Sequence, residues 1–151
     1  MSRPAPSTGR PQDVGRWLLA AGLVTAGTSH LTWQRQEFQA QVPSWFPADE
    51  DLVVVVSGVV ELALGAALLL VARRHRARVG WATAAFFVAV FPGNIAQYLE
   101  GTDAFGLDSD ASRAVRLAFQ PLLVAAALWS TGAWAPRLRA RSGATSRTPR
   151  E

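Results

Sequence analysis

Apolar residues fall into four long runs that polar segments separate. The clearest run extends from Leu52 to Ala72, and Glu61 is its only ionisable residue. The other runs extend from Val14 to Trp33, from Val79 to Leu99 and from Ala114 to Trp134. A helix of about 20 apolar residues, rising about 1.5 Å per residue, matches a hydrocarbon core about 30 Å thick. The pattern therefore predicts an all-α integral membrane protein folded as an antiparallel four-helix transmembrane bundle.

The two ends of the chain and the first connection are polar. Residues 1–13 are rich in Pro, Ser, Gly and Arg, and residues 136–151 are rich in Arg. Both are predicted to be disordered tails that flank a domain of residues 14–135. The first run does not end in the small-residue cleavage site of a signal peptide, which favours a retained helix. The connection from Gln34 to Asp51 mixes aromatic and polar residues with two prolines, and we expect it to lie along the membrane surface.

The arginines are distributed unevenly between the two sides that this topology creates. All fifteen basic residues are Arg, and the formal net charge is +4. Twelve lie in the N-terminal segment, the second connection and the C-terminal tail; only Arg35 and Arg113 lie in the other two connections. The positive-inside rule then predicts a multi-pass protein of the cell (inner) membrane with both termini cytoplasmic. Attraction to anionic lipid explains the basic tail more simply than nucleic acid does, so the lipid bilayer is the expected partner. Without Cys, disulfides and thiolate chemistry are excluded.

Polar residues inside the apolar runs are the candidate site. A carboxylate near the membrane midplane needs a partner, and Ser57 shares a helical face with Glu61 because the two are four residues apart. Arg116 and Gln120 share a face of the last run in the same way. Because the guanidinium fork suits a carboxylate, we expect Glu61 to pair with Arg116, with Asn94 alongside.

Two further positions bear on this cluster. Pro92 should kink the third helix and free the carbonyl of Val88, which neighbouring groups must then satisfy. His30 lies near the end of the first run, at the depth where a polar ring still reaches water. An interfacial His bonded to a carbonyl is the favoured interpretation there, and a ligand contact is the alternative.

Five segments together resemble the DoxX-like family of small four-helix bacterial membrane proteins. They are AGTSHL, VPSWFP, SGVVELALGAALL, FPGNIAQ and RLAFQPLLVAAALW, which follow one another between Ala26 and Trp129. The family's polar positions fall on His30, Ser57, Gly58, Glu61, Pro92, Asn94, Arg116 and Gln120. Leu31 replaces the usual aromatic after the His, and Ala118-Phe119 replaces a frequent Pro before the Gln.

The resemblance implies a broad range of functions. Some members of that family belong to thiosulfate-to-quinone oxidoreductases, some to oxidative-stress complexes, and an animal branch assists receptor assembly. The first hypothesis is a membrane subunit of a redox or detoxification system whose polar cluster binds a quinone-like or small polar molecule. The cluster comprises His30, Ser57, Glu61, Asn94, Arg116 and Gln120.

Other functions stay open. The second hypothesis is a non-catalytic assembly protein in which the same cluster locks the helices together. A transporter is third, because four short helices leave little room for alternating access unless the protein forms a homo-oligomer. We expect a protein partner or a second copy of the chain, no metal site, and a possible quinone cofactor; whether the protein is an enzyme is left open.

Overall fold

The computed structural model describes residues 8–106 and 109–134, and this part of the chain is helical without strands. The helices are α1 (Arg10–Leu31), α2 (Arg35–Gln39), α3 (Glu50–Leu70), a 3₁₀ helix (Arg73–His75), α4 (Arg76–Glu100) and α5 (Asp110–Ser130). Most of the two predicted tails, residues 1–7 and 135–151, lies outside the described residues.

Three of the described segments are long and apolar enough to cross a membrane: Glu50–Leu70, Arg73–Glu100 and Asp110–Ser130. Their outer faces present large apolar side chains, among them Val59, which is 54% exposed, and Leu122, which is 60% exposed. Apolar surface of this extent is what a lipid-facing helix requires. The described residues confirm the prediction of an all-α protein, and three of the four predicted spans have the length and apolar composition that crossing a membrane requires.

Helix α1 is not among these three, and it is more polar than the sequence pattern indicated. It begins at Arg10, four residues before the predicted start and inside the predicted N-terminal tail. Pro11 suits the first turn, where its missing N–H is not needed. The side chain of Gln12 accepts a hydrogen bond from the backbone N–H of Gly9 at 2.9 Å. The early start adds Arg10 and Asp13 to the helix, and the small residues that follow contribute little hydropathy.

Helices α1 and α3 pack closely because glycines face each other. A methyl group built on Gly27 would lie 2.6 Å from the carbonyl oxygen of Gly58. One built on Gly65 would lie 2.7 Å from a methyl carbon of Val24. Distances this short leave no room for a side chain at either position, so the small residues of α1 allow the two helices to approach closely.

Helix α5 completes the packing by contacting both α4 and α1, and α3 also contacts α4. The largest buried apolar cluster lies among the four long helices. It contains Ala20, Leu23, Leu68, Ala84, Phe87, Ala127, Leu128 and Ala133.

A buried charge network ties the start of α1 to the end of α3 and the start of α4. Arg16 is 2% exposed and donates to the carbonyl oxygens of Leu68 and Leu69, at the C-terminal end of α3. A cation suits that position because the last carbonyls of a helix are unpaired and carry partial negative charge. Asp13 lies 3.5 Å from Arg16 and 2.8 Å from Arg76.

The connection predicted to lie on the surface forms the short helix α2, which is attached at several points. Arg35 binds Asp51 through two nitrogens, and Gln39 donates to the same carboxylate at 2.7 Å. The hydrogen bond to Asp51 raises the pKa of Arg35. Asp49 caps α3 by accepting from the backbone N–H of Leu52 at 3.0 Å.

Candidate functional site

A cavity of about 1460 Å³ lies between the four long helices and the segment that follows α1. All six polar residues proposed from the sequence line it. They are His30, Ser57, Glu61, Asn94, Arg116 and Gln120. Most of the remaining wall is apolar, with Val54, Phe86, Val90, Phe119 and Leu123 among its residues. An apolar cavity with a few convergent polar groups is the usual form of a small-molecule site. The role of these residues in binding stays a prediction.

Glu61 faces His30. The Nδ1 atom of His30 lies 2.9 Å from Oε2 of Glu61 and 2.8 Å from the carbonyl oxygen of Ala26. A single ring nitrogen carries at most one proton, so it cannot donate a well-directed bond to both oxygens. The contact with Ala26 is a hydrogen bond, whereas Oε2 of Glu61 is a buried atom that forms no hydrogen bond among the described residues and lies only at ion-pair distance from His30. Glu61 also lines the cavity, which makes its carboxylate a candidate acceptor for a molecule there.

The predicted ion pair between Glu61 and Arg116 is wrong. Arg116 instead donates from Nη2 to the side-chain oxygen of Gln41 at 3.0 Å. Its guanidinium carbon lies 4.9 Å from the ring centre of Phe105, a cation–π distance. Gln41 is in turn oriented by Gln97, whose side-chain oxygen accepts from Gln41 at 3.0 Å. Gln41 and Phe105, which belong to the connecting segments, contact Arg116, whereas Glu61 lies next to His30.

Asn94 and Gln120 form a buried amide pair between α4 and α5. Asn94 donates to the side-chain oxygen of Gln120 at 3.1 Å, and Gln120 donates to the carbonyl oxygen of Phe87 at 2.6 Å. Phe87 lies five residues before Pro92, one residue from the carbonyl that the sequence pattern predicted to be freed. Gln120 thus supplies α4 with a hydrogen bond from a neighbouring helix in the region of its proline.

An aromatic column connects the two polar regions of the cavity. The ring of His30 stacks on Phe38 with centroids 3.4 Å apart, and Phe38 meets Phe105 edge-on at 4.6 Å. Phe105 is held by its backbone N–H, which donates to Glu37 at 2.6 Å. The column places α2 against the cavity and extends from His30 to the guanidinium of Arg116.

His30 contacts the carbonyl oxygen of Ala26, as the favoured interpretation expected, but it is buried and lines the cavity. A ligand contact at His30 stays a prediction. Sequence reasoning missed Gln41 and Phe105, which lie in connections without apolar periodicity. Ser57 lines the cavity one turn before Glu61. Within residues 8–106 and 109–134, no three His, Asp or Glu side chains come together as a metal site.

The chain belongs to a family described as a domain of unknown function (DUF8561), whose model matches residues 19–131. The resemblance to the DoxX-like family is therefore wrong. Four of the short segments that suggested it lie in the long helices, and VPSWFP lies in the connection before α3. Short apolar segments that carry a few polar residues recur in unrelated membrane proteins. No curated protein and no solved structure matches the chain.

Proposed function

We propose that the protein is a four-helix transmembrane bundle of the cell (inner) membrane that binds a quinone-like or small polar molecule in the cavity. In this proposal residues 14–31 of α1 form the fourth span, and both termini are cytoplasmic. The length of this segment supports a span, since residues 14–31 at about 1.5 Å each extend about 27 Å. The buried Arg16 is compensated by Asp13 and by the carbonyls that end α3, so its charge does not prevent insertion.

One observation supports ligand binding above all: polar side chains from four separate helices line one cavity whose wall is mostly apolar. The cavity offers donors at Arg116 and an acceptor at the carboxylate of Glu61. A molecule with a hydrogen-bonding ring or head and an apolar body would match both parts of the wall. The polar groups would orient the head, and the apolar helix faces would contact the body.

A structural role is the second candidate, and the amide pair favours it. Asn94 and Gln120 are bonded to each other and to Phe87, so these groups already satisfy one another. Such a network specifies how α4 and α5 pack without performing chemistry. The redox part of the expectation depended on the DoxX-like resemblance and is not carried forward.

Purification in a neutral detergent, followed by solvent extraction and mass spectrometry, tests the binding role. The wild-type chain should retain a small molecule in near-stoichiometric amount. Ser57→Phe should reduce this amount by at least about tenfold, because the new ring occupies the cavity. Val59→Phe adds the same ring two residues later, on the exposed face of α3, and should retain the molecule. Equal retention by all three proteins, or by none, would favour the structural role.

A further inference from the structure

The arginines that are buried or partly buried in the described part of the chain differ in how their charge is compensated. Arg16, Arg76 and Arg113 each lie within ion-pair distance of at least one Asp. Across residues 8–106 and 109–134, no carboxylate is within this distance of Arg116. Its side-chain partners there are a neutral amide, that of Gln41, and an aromatic face.

Arg116 also lies within the length of α5 rather than at its end. It is six residues after Asp110, about 9 Å along the helix axis, and its side chain lines the cavity. A guanidinium offers five N–H donors, and Gln41 uses one of them. A cation at this depth without a counter-charge is costly, and such residues mark the sites of ions and polar ligands in membrane proteins.

We infer that Arg116 binds the ionised acid group of an amphipathic ligand, so that the cavity takes a weak organic acid with an apolar chain. This inference rests on the proposed binding function and names the ligand class. A carboxylate or ionised phenol matches the guanidinium fork and would supply a counter-charge that the described residues do not provide. The apolar chain would lie along Val90, Phe119 and Leu123, which line the same cavity. The volume of about 1460 Å³ exceeds the upper range of about 1,000 Å³ for drug-sized ligands, which leaves room for such a chain.

Two probes that differ only in charge test the inference. The full-length chain is placed in phosphatidylcholine nanodiscs at about pH 8, where a carboxylic acid is ionised. Binding of radiolabelled decanoate and decanol is measured by scintillation proximity, with empty nanodiscs subtracted. Wild-type protein should bind decanoate saturably and at least about tenfold more tightly than decanol, because bonds to charged groups exceed neutral ones by about this factor.

Variants test whether the preference for decanoate over decanol depends on Arg116. Arg116→Gln should lower the affinity for decanoate to that for decanol, while Arg116→Lys should keep most of the preference because the charge stays. Arg78→Gln removes an exposed Arg outside the cavity and should bind like the wild type. Thermal unfolding of each variant establishes that it is folded. Equal wild-type affinity for the two probes, or an unchanged preference in a folded Arg116→Gln, would overturn the inference.

A third probe separates this inference from the proposed function. Decylubiquinone is neutral and has the same chain length. If it alone binds saturably, the cavity binds a ligand but the acid class is wrong; if no probe binds, the binding function fails as well. The measurement is then repeated in nanodiscs that also contain phosphatidylglycerol. If the wild type loses its preference for decanoate while binding to Arg116→Gln does not change, the acid that the cavity binds is a lipid phosphate. If the wild type keeps its preference, the acid is a free one.

Discussion

His30 and Glu61 meet across the closest contact between α1 and α3, where Nδ1 and Oε2 are 2.9 Å apart. The glycines beside them make this approach possible, because a methyl group on Gly58 would lie 2.8 Å from Cβ of His30. The helix contact therefore brings the imidazole and the carboxylate to one wall of the cavity. A substitution that separates the two helices should affect both packing and the site.

The first prediction concerns which residue is coupled to Glu61. Glu61→Gln and His30→Asn should show a coupling of about 1 kcal/mol in the free energy of unfolding, because the two side chains are in contact. Glu61→Gln and Arg116→Gln should be additive within about 0.5 kcal/mol. Double-mutant cycles of denaturant unfolding in detergent measure both. Coupling of Glu61 to Arg116, with additivity toward His30, would contradict the observed arrangement.

The second prediction tests the glycine contact. Gly27→Ala should destabilise the protein by about 1–3 kcal/mol, because its methyl group would meet the backbone oxygen of Gly58 at 2.6 Å. Gly22→Ala is the matched control on the same helix. A methyl group at Gly22 meets nothing within 4 Å, so this change should be neutral or slightly stabilising. The comparison is made by thermal unfolding in the same detergent, and equal losses for the two variants would exclude close packing at Gly27.

The sequence located the long helices well because each has a sustained apolar pattern. Helix α3 spans Glu50–Leu70, against a predicted Leu52 to Ala72. The polar residues of the site were identifiable for a related reason. Glu61, Asn94 and Gln120 each stand out against apolar neighbours, and all three line the cavity.

The partners of these residues could not be found in the same way. Counting along a helix gives the depth of a side chain but not the rotation of one helix against another. Glu61 and Arg116 were matched by depth and charge, whereas the rotation of α3 turns Glu61 toward His30 on α1. Gln41, the partner of Arg116, lies in a connection whose position depends on tertiary contacts alone.

The third prediction is a pH dependence that arises from Asp13. Partial burial alone would raise the pKa of Asp13, but the charge of Arg76, with help from Thr8 and Arg16, lowers it below its ordinary value of 3.8. The unfolded chain therefore binds a proton more readily than the folded one. The stabilisation is present above about pH 4 and is lost as the pH falls through the lowered pKa.

Thermal unfolding of the wild type and Asp13→Asn between about pH 3 and pH 7 tests this dependence. The wild type should be the more stable protein at neutral pH. The difference between the two should stay constant down to about pH 5 and shrink below about pH 4. A difference that grows as the pH falls, or that does not change, would show that Asp13 does not have this role.

The fourth prediction concerns topology and the crossing by α1. The chain contains no Cys, so single cysteines can be introduced at Ser7, Ser44 and Ser142 without background. In intact cells a membrane-impermeant maleimide should label Ser44→Cys, and it should label the other two only after lysis. Labelling of Ser7→Cys and Ser44→Cys from the same side would mean that α1 does not cross. Labelling of Ser142→Cys in intact cells would place the C-terminus outside.

Saturable photolabelling measures most directly whether the cavity binds a ligand. Two diazirine probes with the same ten-carbon chain, one ending in a benzoquinone and one in a carboxylate, are added to the reconstituted protein with and without excess unlabelled compound. We expect at least one probe to label cavity residues such as Phe119 and Leu123, and we expect excess unlabelled compound to abolish this labelling. Labelling of the outward-facing Leu122 should not be displaced. If no labelling of the cavity residues can be displaced for either probe, the cavity is not a binding site.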